Sequence, residues 1–210
     1  MRKRYYRTNL KGPKQMAHIE VNKGKKIILG SNSPRRKQLL EDAGVKFKIR
    51  AYPINEDYPV KLKGSEITEY IVKKKALEFK EVKDDEIIIT ADTIVWTQNE
   101  HLGKPKDLME AKKFLEKLSN KKHEVITSVC FKEEEKKTII SESTFVFFKK
   151  ISNSEINYYL KNFAFLDKAG AYGIQDWIGI IGVKRIEGSY TNVVGLPVSQ
   201  VIDVLQKLKI

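Results

Sequence analysis

The sequence predicts an α/β fold with helices and a partly antiparallel sheet. Short runs dense in isoleucine, valine and threonine mark strands, and capped segments with apolar residues at helical spacing mark helices. The two kinds of segment mix along the chain, which is the pattern of a layered α/β domain. With 210 residues and 41% apolar content, the chain has enough material for one sizeable core or two closely joined lobes.

Residues 1–24 read as a basic N-terminal extension. They carry Arg2, Lys3, Arg4, Arg7, Lys11 and Lys14 around a Gly12-Pro13 breaker, and Met16 offers a second start. A tag, an over-long start and a basic arm all fit. The domain proper is expected over 25–210. Residues 26–30 read as a short buried strand and 34–43 as a helix closed by Gly44. A second strand is expected over 46–52. Ser65 is expected to cap a helix running to residue 82, with Glu66 favourable in its first turn. The run 86–97 is a strong strand. Asp107 with Glu110 three residues on predicts a capped helix to residue 118. Strands follow over 123–132 and 138–149, and Ser152 with Glu155 forms a capping box. Half of the twelve glycines fall between residues 167 and 195, a stretch in which 177–183 looks strand-like. Pro197 opens a last helix over 198–208.

Composition excludes several classes. The single cysteine, Cys130, cannot pair within the chain. His18, His101 and His123 lack zinc-ligand spacing. The apolar runs are too short to span a membrane, and the N-terminus lacks the apolar core of a signal peptide. The expectation is a cytoplasmic protein with no membrane partner. The net charge of +13 suits polyanionic partners. Most of it is lysine spread along the chain, which by itself reads as a solvated surface.

Two features carry candidate chemistry. Ser31-Asn32-Ser33-Pro34-Arg35-Arg36 joins a buried strand to a helix start. Ser33 is a good N-cap and Pro34 a good first helical residue. Arg35 and Arg36 then sit at the positive end of the helix dipole, where cations are unfavourable. An anion there would satisfy the arginines, the hydroxyls of Ser31 and Ser33 and the orphan backbone N–H groups together. The alternative is a solvated helix start whose arginines pair with carboxylates elsewhere.

The second feature is Asp92, which interrupts the apolar run 87–96 and shares a strand face with Ile88, Thr90 and Ile94. It is a metal ligand or general base at a strand end, or it marks a turn or pairs with a structural lysine. Glu56 follows the second strand. Lys75 shares a helix side with Ile67 and Ile71, and Lys104 stands between Gly103 and Pro105. Taken singly, a residue of each of these three kinds is more often on the surface than in a site.

These segments together resemble the Maf family of nucleotide pyrophosphatases. The matching stretches are 28–36, Ala91-Asp92-Thr93-Ile94-Val95, Gly103-Lys104-Pro105, His123-Glu124-Val125, 167–175, Gly188-Ser189-Tyr190 and 193–197. The resemblance implies an inosine triphosphate pyrophosphatase-like fold, with a central, partly antiparallel mixed sheet and two lobes around a cleft, and cleavage between the α- and β-phosphates with a divalent metal, Mg²⁺ or Mn²⁺. It implies that Asp92 activates water, that Glu56 helps it with metal or water, and that Ser31, Arg35, Arg36, Lys75 and Lys104 hold the triphosphate. Ala171-Tyr172-Gly173-Ile174-Gln175 looks like the branch acting on dTTP and UTP, in which Arg35, Thr93 and Gln175 match positions setting substrate choice. Glutamine offers both donor and acceptor to a pyrimidine edge. Asp176-Trp177 stand where the family often has glycine, and Asn32 replaces a smaller residue. Family members often form homodimers, although no interface is legible here. The alternatives are a 7-methyl-GTP pyrophosphatase of the same family and a nucleic-acid-binding regulator of septum formation. No helix-turn-helix, RNP or zinc-finger pattern supports the regulator, and no Walker A run supports a motor or kinase.

Overall fold

The computed structural model describes residues 24–208. The basic extension expected over 1–24 lies outside the described residues apart from Gly24. Strand β1 (Lys26–Leu29) runs parallel to both of its neighbours, β2 (Phe47–Ile49) and β3 (Glu86–Thr97). β3 turns through Gln98-Asn99 into the short β4 (Glu100–Leu102). The φ angles there are 51° and 60°, as a two-residue hairpin turn requires. β5 (Lys122–Lys132), β6 (Lys137–Phe148) and β7 (Val183–Glu187) extend the sheet antiparallel on the far side of β3. The sheet is therefore mixed and mostly antiparallel, where the sequence predicts a partly antiparallel one.

Seven α-helices accompany it among the described residues: α1 (Pro34–Asp42), α2 (Ser65–Leu77), α3 (Leu108–Leu118), α4 (Asn153–Asn162), α5 (Trp177–Gly182), α6 (Tyr190–Val194) and α7 (Val198–Lys207). α2 covers the sheet face that carries Ile88, Thr90 and Asp92. Ile67 and Ile71 pack there against Ile94 and Ile126, and the Thr90 hydroxyl donates to Val72 O at 2.9 Å. The opposite face is covered in two halves. Leu40 of α1 and Val201 and Leu205 of α7 bury Ile87, Ile89 and Ala91. Leu115 of α3 and Tyr159 of α4 belong to a second cluster around Val95 and Val125. Thr93 falls between these halves.

Several boundaries differ from the sequence expectation. β2 keeps only Phe47–Ile49. α2 is capped from Gly64, in the left-handed region at φ 51°, so Ser65 is its first residue and not its cap. It stops at Leu77, because Phe79 turns into the core beside Ile28 and Ile88. The stretch 177–183 is not a strand: residues 177–182 form α5. There Gly179 lies against the Ile174 carbonyl, where an added Cβ would sit 2.3 Å from the oxygen. β4, β7 and α6 are elements the sequence reading did not separate.

Candidate active site

β1 and β4 flank the same edge of β3 but do not meet. β1 pairs with residues 86–89 and β4 with residues 95–97. Between them the β3 edge has no strand partner, and a cleft of about 840 Å³ opens at that break. The volume falls in the range of small-ligand sites. Ser31, Arg35, Arg36, Glu56, Lys75, Asp92, Thr93, Lys104 and Gln175 all line it. The structure thus gathers every sequence-predicted site residue around one cavity.

The carboxylate end lies on the α2 side. Lys75 Nζ donates to Asp92 Oδ1 at 2.8 Å and stands 2.8 Å from Glu56 Oε1. It also reaches Ala91 O at 3.3 Å, and Lys104 Nζ is 3.9 Å from Glu56 Oε2. Asp92 is 7% exposed and remains within the strand, so no turn breaks there. Burial pushes the Glu56 carboxyl up, but Lys75, Lys104 and Arg36 outweigh it and hold its pKa below the ordinary glutamate value.

The turn between β1 and α1 forms the facing wall. Ser33 caps α1 and Ser31 Oγ accepts from Ser33 N at 3.3 Å. The two arginines diverge. Arg35 reaches across the cleft to the Asp167 carboxylate and donates to Asp167 O at 3.1 Å, realising for this residue the carboxylate-pairing alternative. Burial raises the Asp167 carboxyl, but Lys168 and Arg35 bring it below its usual value. Arg36 points back at the sheet. It donates to Gly195 O at 2.9 Å, Ala91 O at 3.0 Å, Ser31 Oγ at 3.2 Å and Thr93 Oγ1 at 3.0 Å. Four of its five N–H groups are engaged in this way. Burial lowers the pKa of its guanidinium, with the Asp92 charge acting against that shift.

The glycine-rich segment closes the third side. Gln175 is exposed at the cleft and makes no hydrogen bond among the described residues. Asp176 turns away from the cleft, accepting from Tyr159 OH at 3.0 Å and lying 3.5 Å from Lys168 Nζ. Trp177 stacks with Phe163. The departures at 176 and 177 therefore serve packing behind the wall.

Sequence reasoning missed Asp167 and Lys168 as charged lining residues, and also Tyr58 and His101. Tyr58 OH and His101 Nδ1 are 2.7 Å apart and tie the loop carrying Glu56 to β4. Burial lowers the His101 pKa, opposed by Asp92 and Glu56. The Gln98-Asn99 turn was the signal that would have revealed β4 and brought His101 to the cleft.

The donor set suits a hard divalent cation. Mg²⁺ takes one or two carboxylates and fills its remaining positions with water and phosphate oxygens. Glu56 and Asp92 converge on one cationic centre, the Lys75 ammonium, and supply two carboxylates of that kind. Among the described residues no group of three or more His, Cys, Asp or Glu forms a closed cage. None of their helices is long and apolar enough to cross a membrane.

Comparison with known proteins agrees with this geometry. A dTTP/UTP pyrophosphatase of Flavobacterium psychrophilum is 52% identical over 177 residues, covering 84% of this chain and 91% of the relative. The dTTP/UTP pyrophosphatase of Cytophaga hutchinsonii is 52% identical over 182 residues, 87% of this chain and 84% of its own. That of Flavobacterium johnsoniae is 49% identical over 184 residues, 87% and 95% of the two chains. The family described as Maf-like protein matches residues 26–208. The match spans every motif that lines the cleft, and the chain belongs to the Maf family.

Proposed function

We propose that this protein is a nucleoside triphosphate diphosphatase that hydrolyses dTTP and UTP to the monophosphate and pyrophosphate. The observation that carries the proposal is the Glu56–Lys75–Asp92 chain facing the Ser31–Arg36 turn across one cleft. The names of the relatives support the same substrates. Ser31, Arg35, Lys75 and Lys104 bind the triphosphate, while Arg36 holds the turn against β3 and leaves one N–H for phosphate. Thr93, Gln175 and Arg35 select the nucleotide. Asp92 accepts a proton from water as its oxygen bonds to the α-phosphorus. The bond between that phosphorus and the α–β bridging oxygen breaks, and pyrophosphate leaves with its charge met by the lysines and Arg35.

Glu56 and Asp92 would hold Mg²⁺ or Mn²⁺. The ion supplies charge neutralisation of the phosphates and a more acidic bound water. Lys75 then turns from the carboxylates toward phosphate. A unit spanning 25–210 and a cytoplasmic location belong to the same proposal.

The test is a nucleotide panel with Mg²⁺, scored for monophosphate and pyrophosphate. Release of both from dTTP and UTP supports the reading. Preference for 7-methyl-GTP, or tight duplex DNA binding with no cleavage, overturns it. Asp92→Asn should fold and lose about 10²–10⁴-fold in kcat, the range for a general base. Full activity in that variant would remove Asp92 from the proton transfer.

A further inference from the structure

The hydroxyl of Thr93 belongs to a buried chain of hydrogen bonds whose direction can be worked out. Arg36 Nη2 donates to Thr93 Oγ1 at 3.0 Å. Thr93 Oγ1 and Thr127 Oγ1 are 2.9 Å apart, and either could donate. Thr127 Oγ1 donates at 3.2 Å to the backbone carbonyl of Asn192, which has no proton to give. Thr127 is wholly buried and lies opposite Thr93 on β5.

A threonine hydroxyl carries one proton and two acceptor positions. If Thr127 gives its proton to Asn192 O, Thr93 must give its own to Thr127. The chain then runs one way, from Arg36 through Thr93 and Thr127 to Asn192, and each bond in it is made. If instead Thr127 donates to Thr93, the Thr127–Asn192 contact is left without a hydrogen. Thr93 then has only Gly195 O, at 3.4 Å, to donate to. The first arrangement is favoured, since the Thr127–Asn192 contact that it makes, at 3.2 Å, is shorter than the 3.4 Å Thr93–Gly195 contact that it gives up. Only the first arrangement makes Thr93 an acceptor toward the cleft: in the second, Arg36 and Thr127 fill both of its acceptor positions, and its proton, 3.4 Å from a Gly195 carbonyl already bonded by Arg36, can turn to the cleft.

We infer that Thr127 is a positioning residue for substrate choice: it holds the Thr93 hydroxyl as an acceptor, so that Thr93 takes an N–H from the nucleotide. This rests on the function proposed above and deepens it. Among pyrimidines, uracil and thymine carry N3–H, whereas the cytosine N3 is an acceptor. An acceptor-only Thr93 pairs with the first two, and it faces the third with two lone pairs and no proton between them. The discrimination comes from a residue that never touches the ligand.

The experiment measures kcat/KM for UTP, CTP and N3-methyl-UTP with wild type, Thr93→Val, Thr127→Val and Thr127→Ser. Wild type should favour UTP over CTP and lose activity on N3-methyl-UTP. Thr127→Val frees the Thr93 proton, and the UTP:CTP ratio should fall roughly tenfold, the worth of about one buried hydrogen bond. Thr127→Ser keeps the acceptor and should keep the ratio. Thr93→Val should lower the ratio by removing the reader itself. An unchanged ratio in a folded, active Thr127→Val overturns the inference and leaves the pyrophosphatase function standing. Equal cleavage of N3-methyl-UTP and UTP by wild type overturns the N3–H assignment. Loss of overall rate with an intact ratio would make Thr127 purely structural and also overturns it. Failure of wild type to cleave any pyrimidine triphosphate would instead strike the functional proposal beneath it.

Discussion

Arg35 and Arg36 are neighbours in the first turn of α1, yet they do different work. Arg36 donates to two backbone carbonyls and two hydroxyls, whereas Arg35 pairs with a half-exposed carboxylate. Arg36→Lys keeps the charge and loses the planar fork. It should cost about 2–3 kcal/mol in urea unfolding, the scale of several charge-assisted bonds lost. Arg35→Ala should cost under about 1 kcal/mol, because surface pairs contribute little, but should raise KM for the triphosphate. Equal destabilisation by the two substitutions would contradict this division. The pairing of adjacent arginines at an N-terminus was legible in the sequence, as was the anomaly of Asp92 in an apolar strand. Which arginine turns inward was not. Side-chain direction in a first helical turn depends on β3 and α6, which are distant in sequence.

At the scale of elements, the caps Ser33, Asp107 and Ser152 were legible in the sequence, whereas the start of α2 and the run 177–183 were not. Ser152 and Glu155 form the expected capping box, with Ser152 N donating to Glu155 Oε2 at 2.7 Å. Lys149 and then the Ser152 backbone N–H bring the Glu155 carboxyl down to about 2. A depressed carboxyl stabilises the fold above its unfolded pKa and ceases to do so as pH falls through its folded value. The Glu155 contribution should therefore be complete above about pH 5 and vanish toward pH 2. Glu155→Gln should flatten that part of the stability–pH curve, and an unaltered curve would contradict the assignment. Ser152→Ala should cost about 1 kcal/mol, as loss of an N-cap does. By contrast, 177–182 carries strand-like residues and folds as α5. The contact that requires Gly179, with the backbone of Ile174, cannot be seen in local propensity.

At the scale of the molecule, the chain carries a net charge of +13, and the cleft collects four cationic side chains from the sequence-predicted set, Arg35, Arg36, Lys75 and Lys104. A polyphosphate should therefore be drawn in electrostatically. Raising ionic strength from about 0.05 M to about 0.3 M should raise KM several-fold and change kcat little, because screening acts on approach more than on bonded contacts. A salt-independent KM would argue that the charge is uninvolved. The mixed sheet was legible from the order of segments. The break between β1 and β4 that forms the cleft was not, because it depends on how far two short strands extend along one edge.

Asp92 and Thr93 are consecutive residues that project to opposite faces of β3. Asp92 meets Lys75 of α2, and Thr93 meets Arg36, Thr127 and the α6 end of the chain. On the function proposed above, substitutions around Thr93 would retune which base is accepted while the Asp92 surroundings keep their geometry. Lineages would then drift in substrate taste at constant chemistry, the thickness of a single strand insulating one trait from the other.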